Sequence, residues 1–203
     1  MNGKDYECTD FVIDLETEGL APNAFTPIIQ MSVVGFNRYK PFEDQLVLFD
    51  KVIKDTIGTF GDLRTVHEFW LEHHPDYYRY LKDYHNKLNI EDALLLLEDF
   101  FNATAKDKDF KVWGNGAIFD LGLLNAKYAN TDRAPPYSYK NEMCFRTIKA
   151  VTANSDKDFE RAKKFTNAFA SKLPEETNWF PHNSLWDSMC EAKQLHIMLQ
   201  RGI

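Results

Sequence analysis

Cysteine is scarce in this chain. Its 203 residues include three, Cys8, Cys144 and Cys190, far apart and without CxxC spacing. An odd count so placed argues against a disulfide framework or a cysteine zinc site and favours free thiols in a reducing compartment. Nine glycines and eight prolines are near average usage, so the chain is not collagenous. No apolar run approaches the roughly 20 residues that span a bilayer. The opening MNGKDYECTD lacks the apolar stretch of a signal peptide. These absences lead to the expectation of an intracellular, cytoplasmic protein with no membrane partner.

Positive charge is also short. Lys plus Arg is 24 against 31 Asp plus Glu, a formal net charge of −7. That disfavours a protein that coats nucleic acid by charge alone. It leaves room for an enzyme that handles nucleic acid through metal ions, where carboxylates are abundant. No GxxxxGK[ST] loop supports ATP use. HEFWL at 67–71 has Leu where a zinc-protease helix needs its second His. His67, His73, His74 and His85 read as surface or packing residues, and Ser184 and Ser188 lack a nucleophile-elbow context.

What is present suffices for a core: 44% of residues are apolar and 14% aromatic. The length suggests one domain over residues 1–203. Residues 10–14 (DFVID), 27–37 and 42–50 read as three strands of an antiparallel meander, with 15–26 a loop. Thr65 and Glu68 have capping-box spacing. Pro75 breaks or restarts the helix. Asn89 caps IEDALLLLEDFF, whose apolar residues cover more than one face and so predict thorough burial. Residues 110–114 read as a strand and 117–129 as a helix. A Pro-rich loop follows at 131–140, helices near 145–153 and 157–170, a loop at 171–181 and a last helix near 183–201. The order predicts an α/β fold with a mixed sheet.

Three segments concentrate chemistry. In FVIDLETEGL, Asp14 and Glu16 are two apart at the end of an apolar strand, so they point to one face. Two buried carboxylates side by side repel each other and resist desolvation, and a hard divalent cation relieves both problems. The plainer reading is a solvated strand end. In WGNGAIFDLGLL, two glycines flank Asn115 and allow close approach of backbone or ligand, and Asp120 falls near a helix start. In HNSLWDSMCEAKQL, His182 precedes the last helix and Asp187 lies within it. Histidine is the side chain best suited to take a proton near neutral pH.

Together and in this order, these segments resemble the three motifs of the DEDDh exonucleases, the DnaQ-like, RNase-H-like 3′–5′ exonuclease superfamily. The patterns DxE, N-x-x-x-[FY]-D and H-x-x-x-x-D all match without substitution. The sister branch has Tyr four residues before the last Asp, where this chain has Asn183. TVHEFWLEHHPD and CFRTI add a finer similarity to the phage exonuclease A (DexA) group and related bacterial exoribonucleases.

The resemblance implies an RNase-H-like fold and hydrolysis of terminal phosphodiesters to nucleoside 5′-monophosphates with two divalent ions, Mg²⁺ or Mn²⁺. In that scheme Asp14 bridges both ions and Glu16 and Asp187 complete one. Asp120 holds the other directly or through water, and His182 is the general base. Asn115 and Arg146 fall in the substrate region. Phe69 and Trp70 are candidates to stack on a terminal base, with a core role for Trp70 equally open. Lys157, Arg161 and Lys164 share a helical face that offers phosphate contacts or is simply solvated. The implied partner is nucleic acid with a free 3′ end, and the phage-like segments tilt the expectation toward single-stranded DNA and a phage source. RNA is the alternative substrate. A non-catalytic nucleic-acid or polymerase-binding module of the same fold is the rival class, disfavoured because all four acids and the His are present. The oligomeric state is left open.

Overall fold

The computed structural model describes residues 6–54, 59–173 and 179–202. Residues 174–178 of the expected loop at 171–181, and the first five residues of the N-terminal stretch, lie outside that set. Strands β1 (Asp10–Thr17), β2 (Ile28–Phe36) and β3 (Val47–Val52) pair antiparallel in succession, forming the expected meander. Strands β4 (Lys111–Gly114) and β5 (Glu142–Cys144) continue the sheet in parallel from β1, in the order β3-β2-β1-β4-β5. The sheet is mixed, as an RNase-H-like fold requires.

Among the described residues, six α-helices follow the meander or interrupt the parallel strands: α1 (Pro75–Asp83), α2 (Ile90–Thr104), α3 (Asp120–Asn130), α4 (Phe145–Val151), α5 (Ser155–Phe169) and α6 (Ser184–Gln200). Alternation along β1 divides the core. Phe11, Ile13 and Leu15 pack with Leu94, Leu97 and Phe101 of α2 and Leu121 and Leu124 of α3. Val12 points the other way, into a cluster with Val34, Trp113, Phe145 and, from α6, Leu185, Met189 and Ala192. Asp14 and Glu16 are in phase with Val12, so they face the α6 side.

The structure departs from the sequence reading at several points. β1 runs three residues past Asp14, because Leu15 fills the core and Thr17 still pairs with Ile28. The two acids therefore lie within a strand, just before the register shift between Glu16 and Thr17. β3 starts at Val47, since Phe42–Gln45 coil into a 3₁₀ turn that buries Phe42 against Phe36. β5 has no apolar alternation to announce it. The capping box at Thr65 and Glu68 does not form. Asp62 accepts from the Thr65 hydroxyl at 2.9 Å, and Glu68 pairs with Arg64 at 2.7 Å. The segment Thr65–Leu71 is π-helical. Burial of α2 is one-sided: Leu94 and Leu97 are closed off, whereas Leu95 and Leu96 are 43% and 42% exposed. Asn89 does cap α2, accepting from Asp92 N at 2.7 Å, and α1 does restart at Pro75. Cys8, Cys144 and Cys190 are free thiols. Among the described residues no helix is long and apolar enough to cross a membrane.

Candidate active site

Three acids converge first. Asp14 and Glu16 from β1 and Asp187 from α6 each offer a carboxylate oxygen, and these oxygens lie within 4.8 Å of one another. A polar network seats α6 over the strand. The Ser184 and Ser32 hydroxyls share a hydrogen bond at 2.6 Å, Ser32 donates to Asp50 at 2.7 Å, and Ser184 N donates to Gln30 at 3.2 Å. Asn183 caps the helix by accepting from Leu185 N at 2.9 Å.

Asp120 joins from the turn after β4. It is the first residue of α3 rather than its fourth, as the sequence suggested, because residues 115–119 form a turn closed by Phe119 N donating to Gly116 O at 2.7 Å. Both glycines of WGNG have a defined job. A Cβ on Gly114 would sit 3.0 Å from Asp120 Cβ, so the strand end must be bare for the acid to approach. Gly116 has φ +118°, a conformation that L side chains rarely adopt.

The electrostatics follow from burial. Desolvation, then the charges of Glu16 and Asp120, push the Asp14 carboxyl well above its ordinary range. Glu16 is pushed up likewise, by burial and then by Asp187 and Asp120. Burial raises Asp120 to about 7, against the pull of backbone N–H groups and Arg146. Burial raises Asp187 to about 6, against the hydrogen bond it accepts from His182 N at 2.9 Å. Every donor atom in the set is a carboxylate oxygen, which suits a hard divalent cation such as Mg²⁺ or Mn²⁺.

His182 sits on the exposed rim with φ +69°. Its ring meets His74 at 4.4 Å between centroids and Phe69 at 5.5 Å, edge to face. Partial burial lowers its pKa. The sequence offered His74 as a surface or packing residue, and its ring packs on His182.

Beside Glu16 opens a cleft of about 440 Å³ lined by Leu15, Thr17, Leu20, Phe69 and Phe119. Phe69 is half-buried there. Trp70 is 0% exposed, its face stacked on Tyr78 at 5.5 Å and its Nε1 donating to Thr17 O at 2.8 Å. A ring so enclosed has no free face for a base, which corrects the stacking expectation and settles Trp70 as core. Phe69→Ala is therefore expected to raise KM for oligonucleotides several-fold with little change in melting temperature. Trp70→Ala should cost about 3–5 kcal/mol of stability. Thermal melts beside initial-rate kinetics check both, and a Trp70→Ala protein that melts like the parent would refute the core assignment.

Arg146 is exposed and donates to Asn115 O at 2.8 Å, beside Asp120. Lys157, Arg161 and Lys164 form an exposed stripe on α5, with Arg161 3.9 Å from Asp158. No hydrogen bond or ion pair among the described residues joins this stripe to the acids. One acid was missed. Glu191, four residues after Asp187, lies within reach of the charges of Asp120 and Asp187, and burial pushes its carboxyl well up. The i, i+4 spacing on one helix was its only signal.

The family model described as the 3′–5′ exoribonuclease Rv2179c-like domain matches residues 9–199. No curated protein sequence matches significantly. Among solved structures, the nuclease domain of 3′hExo, a DEDDh family member bound to rAMP, superposes with a TM-score of 0.58 at 20% identity, covering 99% of this chain and 94% of that one. A 3′-exonuclease in 3′-end-specific recognition of a histone mRNA stem-loop gives 0.60 at 18%, over 98% and 84%. Escherichia coli exonuclease I in its zinc-bound complex with single-stranded DNA gives 0.55 at 14%, over 96% of this chain but 40% of that one. These likenesses share the fold. The chain belongs to the family of Rv2179c-like 3′–5′ exoribonuclease domains and is a 3′–5′ exonuclease.

Proposed function

We propose that residues 1–203 form one metal-dependent exoribonuclease domain that removes nucleoside 5′-monophosphates from a single-stranded 3′ end. The observation that carries this reading is the convergence of Asp14, Glu16 and Asp187 oxygens within 4.8 Å beside an apolar cleft. Asp14, Glu16 and Asp187 would hold one divalent ion, and Asp120, with Asp14, a second. When bound, such ions lower the pKa of the attacking water and stabilise the leaving 3′-oxygen.

The protein side chains supply the rest. His182 takes a proton from the attacking water. Its lowered pKa keeps the imidazole neutral, and so able to accept, around pH 7. Phe69 offers its ring to the terminal base at the cleft. Arg146, and farther out Lys157, Arg161 and Lys164, offer charge to the phosphate backbone.

The family description supports RNA over the single-stranded DNA suggested by the phage-like segments. One of those segments, TVHEFWLEHHPD, contributes its Trp to the core, which weakens it as a guide to substrate. Matched 5′-labelled RNA and DNA oligonucleotides, with Mn²⁺, Mg²⁺ or EDTA and an Asp187→Ala control, test the proposal. A metal-dependent ladder shortening from the 3′ end is expected, at least about tenfold faster on RNA and absent in the control; the RNA bias reflects the value of a recognised hydroxyl. Equal rates on DNA would remove the sugar preference, and undiminished cleavage in EDTA would remove the metal mechanism.

A further inference from the structure

Glu191 lies one turn beyond Asp187 on α6 and is 8% exposed. Its charge acts on Asp14, and it in turn feels Asp120 and Asp187. The cation facing it is Lys149 of α4, which also lies over the Phe145 ring at 4.7 Å. The Asn115 side chain hydrogen-bonds to Glu191. Yet Glu191 Oε2 is buried with no partner, and so is Asn115 Oδ1.

Both orphans are acceptor oxygens. No protein donor is in place on either oxygen, and with a divalent ion bound the neighbouring acids are ionised and offer no protons. Native structures leave few such groups unpaired, and each calls for a water or an ion. Water bound to a divalent cation is a strong donor and is commonly oriented by a carboxylate that does not touch the metal.

Resting on the metal-centre reading above, we propose that Glu191 is a positioning residue of that centre. Its Oε2 accepts a hydrogen bond from the water shell of the divalent cation held by Asp120. Asn115 sets the Glu191 side chain in place. Glu191 lies outside the three sequence motifs, so the centre has a fifth acid that the motif reading does not supply.

Calorimetric titration of Mn²⁺ into the parent protein, Glu191→Gln and Asp14→Asn tests this. Glu191→Gln keeps the shape but loses the charge, and should weaken one class of Mn²⁺ site about tenfold or more while sparing the other. Its metal-free melting temperature should hold or rise, which a merely structural role would not predict. Parent-like Mn²⁺ affinity and stoichiometry in Glu191→Gln would overturn the inference alone. Full Mn²⁺ binding by Asp14→Asn would overturn the metal-centre reading itself. If Glu191→Gln fails to fold, Glu191→Met must show the same selective weakening, and parent-like titration there would equally overturn the proposal.

Discussion

Asp14→Asn is expected to lower kcat by about 10³–10⁵-fold, with the protein folded. The size follows from what Asp14 does in the proposed centre. It is the acid whose charge meets all four others, and in the proposed two-ion arrangement it would serve both ions. Charge stabilisation by such ions contributes several kcal/mol to the transition state, and about 1.4 kcal/mol is a factor of ten in rate. Folding survives because Asn occupies the same volume and β1 keeps its pairing opposite Ser32. At a pH where the acids are ionised, substitution also removes one of five mutually repelling charges, so there the metal-free variant should melt at or above the parent's temperature. Steady-state rates with saturating Mn²⁺, read beside a thermal melt in EDTA, separate loss of chemistry from loss of fold. A folded variant keeping more than a tenth of the parental kcat would remove Asp14 from the centre.

The second large effect is an inverted dependence of stability on pH. Without metal, burial raises Asp187 to about 6 and Asp120 to about 7, against 3.8 for an ordinary Asp, and Asp14, Glu16 and Glu191 are raised as well. Between about pH 4 and 7 the folded chain therefore holds protons that the unfolded chain has released. Stability must fall as pH rises through that window. Raising one carboxyl's pKa tenfold in proton affinity corresponds to about 1.4 kcal/mol, so the coupled site should lose several kcal/mol between pH 5 and 8. For a chain of this length that lowers the melting temperature by roughly 10 °C. Divalent ions bind the ionised acids, so excess Mn²⁺ should restore the loss at pH 8 and do little at pH 5. Calorimetric scans in EDTA and in Mn²⁺ at both values decide the matter. An EDTA-treated protein that melts higher at pH 8 than at pH 5 would contradict the crowded, buried arrangement of acids.

The meander and four acids were legible because their signals are local. Phe11, Val12 and Ile13 are an unbroken apolar run, and Asp14, Glu16, Asp120 and Asp187 fall at fixed offsets in short motifs. What escaped depends on partners distant in sequence. β5 exists because Glu142, Met143 and Cys144 find Val112, Trp113 and Gly114, not because three residues prefer a strand. Thr65 offered itself as a cap, but Asp62 holds that end. Trp70 read equally well as a platform for a base until its indole was found bonded to Thr17 O. Glu191 gave no sign beyond its spacing, since only the packing of α6 on β1 brings it to the other acids.

The start of the last helix limits what side chain can stand at position 183. Asn183 occupies the position where the sister branch keeps its tyrosine, and here it is 3% exposed with its side-chain oxygen accepting from Leu185 N and Trp186 N. A phenol there would forfeit the cap, at about 1 kcal/mol, and would force a ring into a closed helix entrance. His182 meanwhile projects from a left-handed backbone position that few side chains occupy comfortably. Asn183→Tyr would thus cost the last helix its cap as well as change the side chain presented at its entrance.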